Sequence, residues 1–322
     1  MGLAYIGKVI EVIPIEGADR IESLKVVCGS GGLWRGSAQK GQFAIGDLCE
    51  VYLQDTLLPQ EERFAFMEKH KWRVRMMRFK GTPSEVLIMP PLEHTFKDIG
   101  LDITGLRGVT KYEKPMPANM SGDTLGWFPT FIPKTDEPNF QSVPAMVQWL
   151  RGKPFYSTVK ADGSSATVYK HQGHFGCCSR NLELKDTPGN AVWQIAREYE
   201  LADAIPDGIA IQFEVAGPGI QGNPLGLKKV EPRLFNVYDI EGHRYLGIDA
   251  LTIWKDTLPM VDLIERNRPF DFGSDEDLRK YAEGLYPNGK PREGVVIRPM
   301  EEARMDTGER VSFKVINLLY KE

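Results

Sequence analysis

Apolar and polar residues alternate with period two along much of this chain, in short runs bounded by glycine, proline and asparagine. In the first third, residues 5–13, 24–28, 48–53, 72–77 and 86–89 read as five strands with little helix between them. Five such strands suit a small, partly open barrel of the OB type over residues 1–110. Periodicity then fades. Prolines follow at 115, 117, 129, 133, 138 and 144, so residues 111–127 read as a semi-rigid linker. From residue 155 alternation returns, with strands expected at 155–160, 164–170, 174–179, 209–215, 234–240, 293–298 and 310–316. Helices are expected over 188–202, 249–266 and 274–285. Thr187 as N-cap with Pro188 in first position would open the first, and Ser274 with Asp277 the third. The class is α+β, with a β barrel followed by an α/β domain over 128–322 whose hairpins make antiparallel sheets.

At 322 residues the chain can build two cores. Its net charge of −4 neither marks nor excludes a nucleic-acid binder, because local clustering decides that. One cluster runs from Arg63 to Lys80, where seven basic residues accompany one acid, Glu68, and Phe64, Phe66, Trp72 and Phe79 are interleaved. Strand alternation would put Lys71, Arg73 and Arg75 on one face and Trp72, Val74 and Met76 on the other. Such a face offers phosphate contacts and base stacking; the plainer reading is a solvated strand. Cys28, Cys49, Cys177 and Cys178 form no C-x-x-C pair or disulfide framework, which fits a reducing compartment. Without a signal-peptide core or a membrane-length apolar run, the expectation is an intracellular, soluble, most simply cytoplasmic protein. No membrane and no obligate protein partner are implied.

The chemistry concentrates downstream. Lys160, in Val159-Lys160-Ala161-Asp162-Gly163, ends one apolar run and precedes another. Glu214, Glu293 and Lys314 each sit on or beside a later strand. Singly, each has an ordinary reading: Lys-Ala-Asp-Gly as the mouth of a hairpin with a type I′ turn, Phe213-Glu214-Val215 as a strand with one solvated carboxylate. Gly217-Pro218-Gly219-Ile220-Gln221-Gly222 satisfies G-x-G-x-x-G, but Asn223-Pro224 follows where a dinucleotide fold needs a helix. His171, His174, Cys177 and Cys178 lie around a turn where alternate residues point apart, which disfavours zinc.

Taken in order, Lys160, Arg180, Glu214, Glu293 and Lys314 resemble the successive motifs of the covalent nucleotidyltransferases. Phe213 to Gly222 and Glu293 to Arg298 are most similar to RNA ligases, and the resemblance spans roughly residues 128–319. It implies an ATP-dependent RNA ligase with an N-terminal OB module and a nucleotidyltransferase domain unlike an ATP-grasp fold. Such an enzyme joins a 3′-hydroxyl to a 5′-phosphate through lysyl-adenylate and RNA-adenylate intermediates, with RNA, as nicked duplex, for its partner. A DNA ligase, a capping-type guanylyltransferase and a non-catalytic nucleic-acid-binding protein are the alternatives. By the resemblance Lys160 is the nucleophile, and Asp162, Glu214 and Glu293 hold Mg2+ or Mn2+ mainly through water. Arg180, Lys314, Lys134 and Gln141 face ATP, and Tyr238 and Val295 (or Ile297) sandwich the adenine. Neighbouring cations, among them Lys314 and the metal, are expected to depress the Lys160 pKa. The last motif departs from the usual Lys-x-Lys, reading Ser312-Phe313-Lys314, with Arg310 as a possible second cation.

Overall fold

The computed structural model describes residues 2–92, 98–113 and 124–320. The chain falls into two compact units, Met1–Lys114 with Phe140–Ala145, and Pro115–Asn139 with Met146–Glu322. Residues 114–123 of the expected linker, Pro115 and Pro117 included, lie outside the described residues. Residues 140–145, expected in the second domain, belong to the first unit.

The first unit is a closed barrel of β1 (Ala4–Pro14), β2 (Ile21–Cys28), β3 (Gly32–Gln39), β4 (Leu48–Tyr52) and β5 (Val86–Met89), in the order β1-β2-β3-β5-β4. Val9, Leu24, Val26, Trp34, Val51 and Ile88 fill it. Four strands lie where alternation put them, and the fifth does not. It is Gly32–Gln39, whose two glycines, serine, alanine and glutamine hide a strand that still alternates buried and half-buried.

Residues 72–77, expected as that strand, are instead largely irregular. Glu62–His70 forms a 3-10 helix that buries Phe64 and Met67, three residues apart, and Lys71 and Trp72 both take left-handed φ of 54°. Only Met77–Phe79 is extended, paired with Thr82–Ser84. Lys71, Arg73 and Arg75 therefore do not form a strand stripe. Arg73 pairs with Asp55 at 2.6 Å, with its guanidinium 4.0 Å from the centre of the Tyr112 ring, while Lys71 and Arg75 are exposed.

The second unit holds two antiparallel sheets among its described residues. The larger has seven strands: β6 (Thr124–Trp127), β8 (Ser164–His171), β9 (His174–Ser179), β10 (Leu182–Leu184), β11 (Ile209–Ala216), β12 (Glu231–Asp239) and β13 (Arg244–Leu246), in the order β6-β10-β9-β8-β11-β12-β13. The smaller runs β14-β7-β15-β16, from β7 (Pro154–Lys160), β14 (Leu263–Pro269), β15 (Gly294–Pro299) and β16 (Phe313–Ile316). One face of the larger sheet packs Ala166, Val168, Ile211, Phe213, Val215 and Val237 against Val192, Ile195 and Leu201.

Helix α1 (Ala191–Glu198) is shorter than expected, and its N-cap is Asn190, not Thr187: the Asn190 side-chain Oδ1 accepts from Val192 N and Trp193 N. The helix expected over 249–266 is a short one, Ile248–Ile253, with a 3-10 turn, and residues 263–269 are strand β14. Helix α2 (Asp275–Ala282) is capped by Ser274 as expected. No helix among the described residues is long and apolar enough to cross a membrane.

Candidate active site

Lys160 ends β7 in the smaller sheet, and Ser164 begins β8 in the larger, so the Lys-Ala-Asp-Gly segment is where the chain crosses between sheets. It is not a type I′ hairpin, since none of residues 161–163 has positive φ. Glycine is needed at 163 for closeness: a Cβ there would sit 2.2 Å from Val215 O and 3.0 Å from Glu214 Cγ.

The registers define two faces. In the smaller sheet Lys160 lies opposite Gly294, Thr158 opposite Val296, and Val296 opposite Lys314. Thr158, Lys160, Val296, Arg298, Ser312 and Lys314 accordingly share one face, where Arg298 Nε donates to Ser312 Oγ at 3.0 Å. In the larger sheet Ser165 lies opposite Glu214 and Glu214 opposite Arg233, while Thr167 lies opposite Gln212 and Gln212 opposite Asn236. That polar face is the one turned from the apolar cluster. Residues 133–137 bond to both faces: Gln212 donates to Pro133 O at 2.8 Å, the Thr135 and Ser165 hydroxyls are 2.5 Å apart, and Arg298 pairs with Glu137 at 2.7 Å.

Lys160 Nζ lies 2.8 Å from Glu293 Oε2. Burial by itself would lower the ammonium's pKa, but Glu293, then Glu214 and Asp162, outweigh it and the net shift is upward. The expected depression is thus reversed in this state, because three carboxylates surround the amine. Asp162 is buried and accepts a short hydrogen bond from the Tyr320 hydroxyl. Burial first, and then that carboxylate, raise the Tyr320 pKa. Among the described residues no three His, Cys, Asp or Glu side chains converge closely enough to ligate a metal directly.

The remaining candidates divide. Arg180 pairs with Asp136 at 2.6 Å, and Lys134 donates to Asn181 Oδ1 at 2.7 Å, so the two cations stand together beside the 133–137 segment. Gln141 belongs to the other unit, where it is buried and donates to Leu33 O at 2.9 Å. Val295 and Ile297 are wholly buried on the opposite face of β15. Val296, between them, is the residue on the Lys314 face. Tyr238 is also a core residue, packed on Tyr245 in a cluster with Phe128 and Ile132. Arg310 is engaged by Glu302 and by Asn236 Oδ1. Cys177 and Cys178 point into separate apolar clusters, away from any shared metal.

A family model described as RNA ligase matches residues 153–316, and a model of an OB-fold domain matches residues 3–91. Among solved structures, Naegleria gruberi RNA ligase with PPi is 32% identical at a TM-score of 0.83, with 98% of this chain and 97% of that chain covered. The chain belongs to the RNA ligase family. A mutant of the same Naegleria gruberi ligase with ATP and Mn matches at 32% identity and TM-score 0.83, covering 98% of this chain and 97% of that one. Another, with AMP and Mn, gives 32% and 0.81, covering 98% and 96%. No curated protein matches the chain. For an RNA ligase, the reading from motifs gave no role to Arg298, which lies in the quoted Glu293–Arg298 stretch, or to Glu137, Tyr286 and Tyr320, all bonded within this cluster. Arg298 and Glu137 are charged residues in apolar or proline-rich company, a signal of burial with a partner.

Proposed function

We propose that Lys160 is the nucleophile of an ATP-dependent RNA ligase acting on nicked duplex. Its amine attacks the α-phosphorus of ATP, a P–N bond forms, the bond to the β-phosphate breaks, and pyrophosphate departs. The adenylate then passes to an RNA 5′-phosphate, whose attack by a 3′-hydroxyl releases AMP and closes the phosphodiester. The observation that carries this reading is the Lys160 amine at the crossover of two sheets, 2.8 Å from Glu293 and within the field of Glu214 and Asp162.

The carboxylates are hard oxygen donors, which suits a divalent cation such as Mg2+ or Mn2+ held by Asp162, Glu214 and Glu293 through its waters. Such a cation would supply neutralising charge beside the amine and the phosphate oxygens. The chain's own groups do the rest. Glu293 orients the amine, Lys314, on the same face as Lys160, offers a cation toward the phosphates, and Arg180 and Lys134 stand beside the 133–137 segment.

Incubation with labelled ATP or GTP and Mg2+, followed by denaturing electrophoresis, tests the reading. Covalent label from ATP and not GTP, abolished in Lys160→Ala, is the expected result. Label retained in Lys160→Ala would remove the nucleophile assignment, and label from GTP would move the chain to capping-type chemistry. Sealing of a nicked RNA duplex in preference to two free ends tests the substrate.

A further inference from the structure

Tyr286 lies in the loop between α2 and β15, and none of the motifs includes it. The loop is tightly closed. Tyr286 N donates to Lys290 O at 2.8 Å, and Gly289 N donates to Tyr286 O at 2.9 Å. Buried Arg292 donates to the carbonyls of Tyr281, Ala282 and Glu283, satisfying acceptors that the end of α2 leaves open. With both ends held, the Tyr286 hydroxyl donates to Lys160 O at 2.9 Å and accepts from Glu293 N at 3.2 Å.

One oxygen therefore joins the backbone of the lysine to the backbone of the carboxylate that pairs with it. Glu293 is held on its other side by Asn317 N, which donates to its carbonyl at 2.9 Å. Tyr286 is buried and lines a cavity together with Val159 and Ala161, the residues on either side of Lys160.

We propose that Tyr286 is a positioning residue for lysine adenylation, its hydroxyl setting the Lys160 and Glu293 backbones in one fixed relation. The proposal rests on Lys160 being the nucleophile. The Lys160 amine and the Glu293 carboxylate meet from different segments, 133 residues apart, and a shift of either backbone changes the line of attack.

The test is Tyr286→Phe in the full chain, which keeps the ring and removes the hydroxyl. Single-turnover labelling at varied ATP, with thermal melting to confirm folding, should show the maximal adenylation rate lowered roughly tenfold, since two hydrogen bonds to buried backbone groups are lost. The ATP concentration at half-maximal rate should stay near the parent's, and joining of pre-adenylated RNA, which needs no lysine nucleophile, should fall less. Unchanged adenylation, or an equal loss in all three quantities, would overturn the positioning role. If the variant does not fold, hydrogen exchange of the Glu293 amide in the parent decides: protection like that of the β15 amides supports the bond, and exchange as fast as an open loop excludes it. Lys160→Ala separates the two ideas. Label surviving there removes the nucleophile and this proposal together, whereas label lost there but normal in Tyr286→Phe removes only the proposal.

Discussion

Glu137 and Arg298 form a buried ion pair that ties the 133–137 segment to the smaller sheet, and acid should break it. The side chains are 14% and 2% exposed, and NH2 meets Oε1 at 2.7 Å. The same guanidinium donates to Ser312 Oγ at 3.0 Å and to Phe235 O at 3.1 Å. Burial would raise the Glu137 pKa, but Arg298, Arg310 and the Ser312 hydroxyl hold it below its ordinary 4.5. A carboxyl depressed in the folded state adds stability that is complete above 4.5 and is lost as pH falls through the lower folded value. Glu137→Gln keeps the shape and one acceptor but leaves Arg298 buried without a counter-charge. Removing one partner of a buried pair costs about 3–5 kcal/mol, and the remaining amide acceptor favours the lower figure. At roughly 2–4 °C per kcal/mol for a unit of this size, the midpoint should drop by about 6–12 °C at neutral pH. Melting followed by circular dichroism from neutral to acid pH measures it. The parent should lose stability below 4.5, and the variant should lose less, so that the two curves converge. Equal midpoints at neutral pH, or parallel acid profiles, would refute the reasoning.

Gly163→Ala should impair folding of the second unit, because its Cβ would meet the Val215 carbonyl at 2.2 Å and the β8–β11 ladder would have to shift; overpacking of this kind costs about 1–3 kcal/mol or more, read as a lower melting midpoint. In the first unit, Lys71→Ala and Arg75→Ala should each lower the slope of log affinity for RNA against log salt by roughly one, if those exposed cations meet phosphates. Arg73→Ala should instead lower stability with a smaller change in slope, because its charge already serves Asp55 and its plane lies on Tyr112. A salt titration with melting curves on the three variants separates these outcomes, and equal slopes for all four proteins would leave Lys71 and Arg75 as solvated side chains.

Where side chains followed simple alternation, the fold was legible. Residues 164–171, 174–179 and 209–216 are strands because their apolar positions fall on one face, and the same rule puts Gln212 and Glu214 on the other. The failures have local causes. Gly32–Gln39 lacks the β-branched residues that announce a strand, although the barrel's register requires one there. At 71–77 a basic run satisfied alternation on paper, whereas just before it Phe64 and Met67 follow a helical spacing into the core. Val295 and Ile297 were named by resemblance, and a motif does not show the register that puts Val296 opposite Lys314. Gln141 was placed by proximity to the Lys134 segment, yet its backbone returns to the first unit. Lys160, Asp162, Glu214 and Glu293 were legible for a different reason, since their order along the chain mirrors a known set of motifs and owes nothing to periodicity.

The position of Lys160 at a sheet crossover explains how distant segments make one site. Backbone groups are tied into the β7–β15 ladder up to residue 160 and into the β8–β11 ladder from residue 164, leaving three residues to span two sheets. So short a bridge transmits the geometry of both. Glu293 comes from the edge of the first ladder and Glu214 from the second, and Gly163, lying against Val215 O and Glu214, sets how near the second may come. A misplacement of about 1 Å can cost two orders of magnitude in rate, so an amine on a long loop would not be aimed reliably between segments from separate sheets. On the bridge, Lys160 needs only the strands to be in register. The same argument locates the site's weak point. Glu293 precedes β15, outside the ladder, and there the restraint passes from strand pairing to the hydroxyl of Tyr286 and the amide of Asn317.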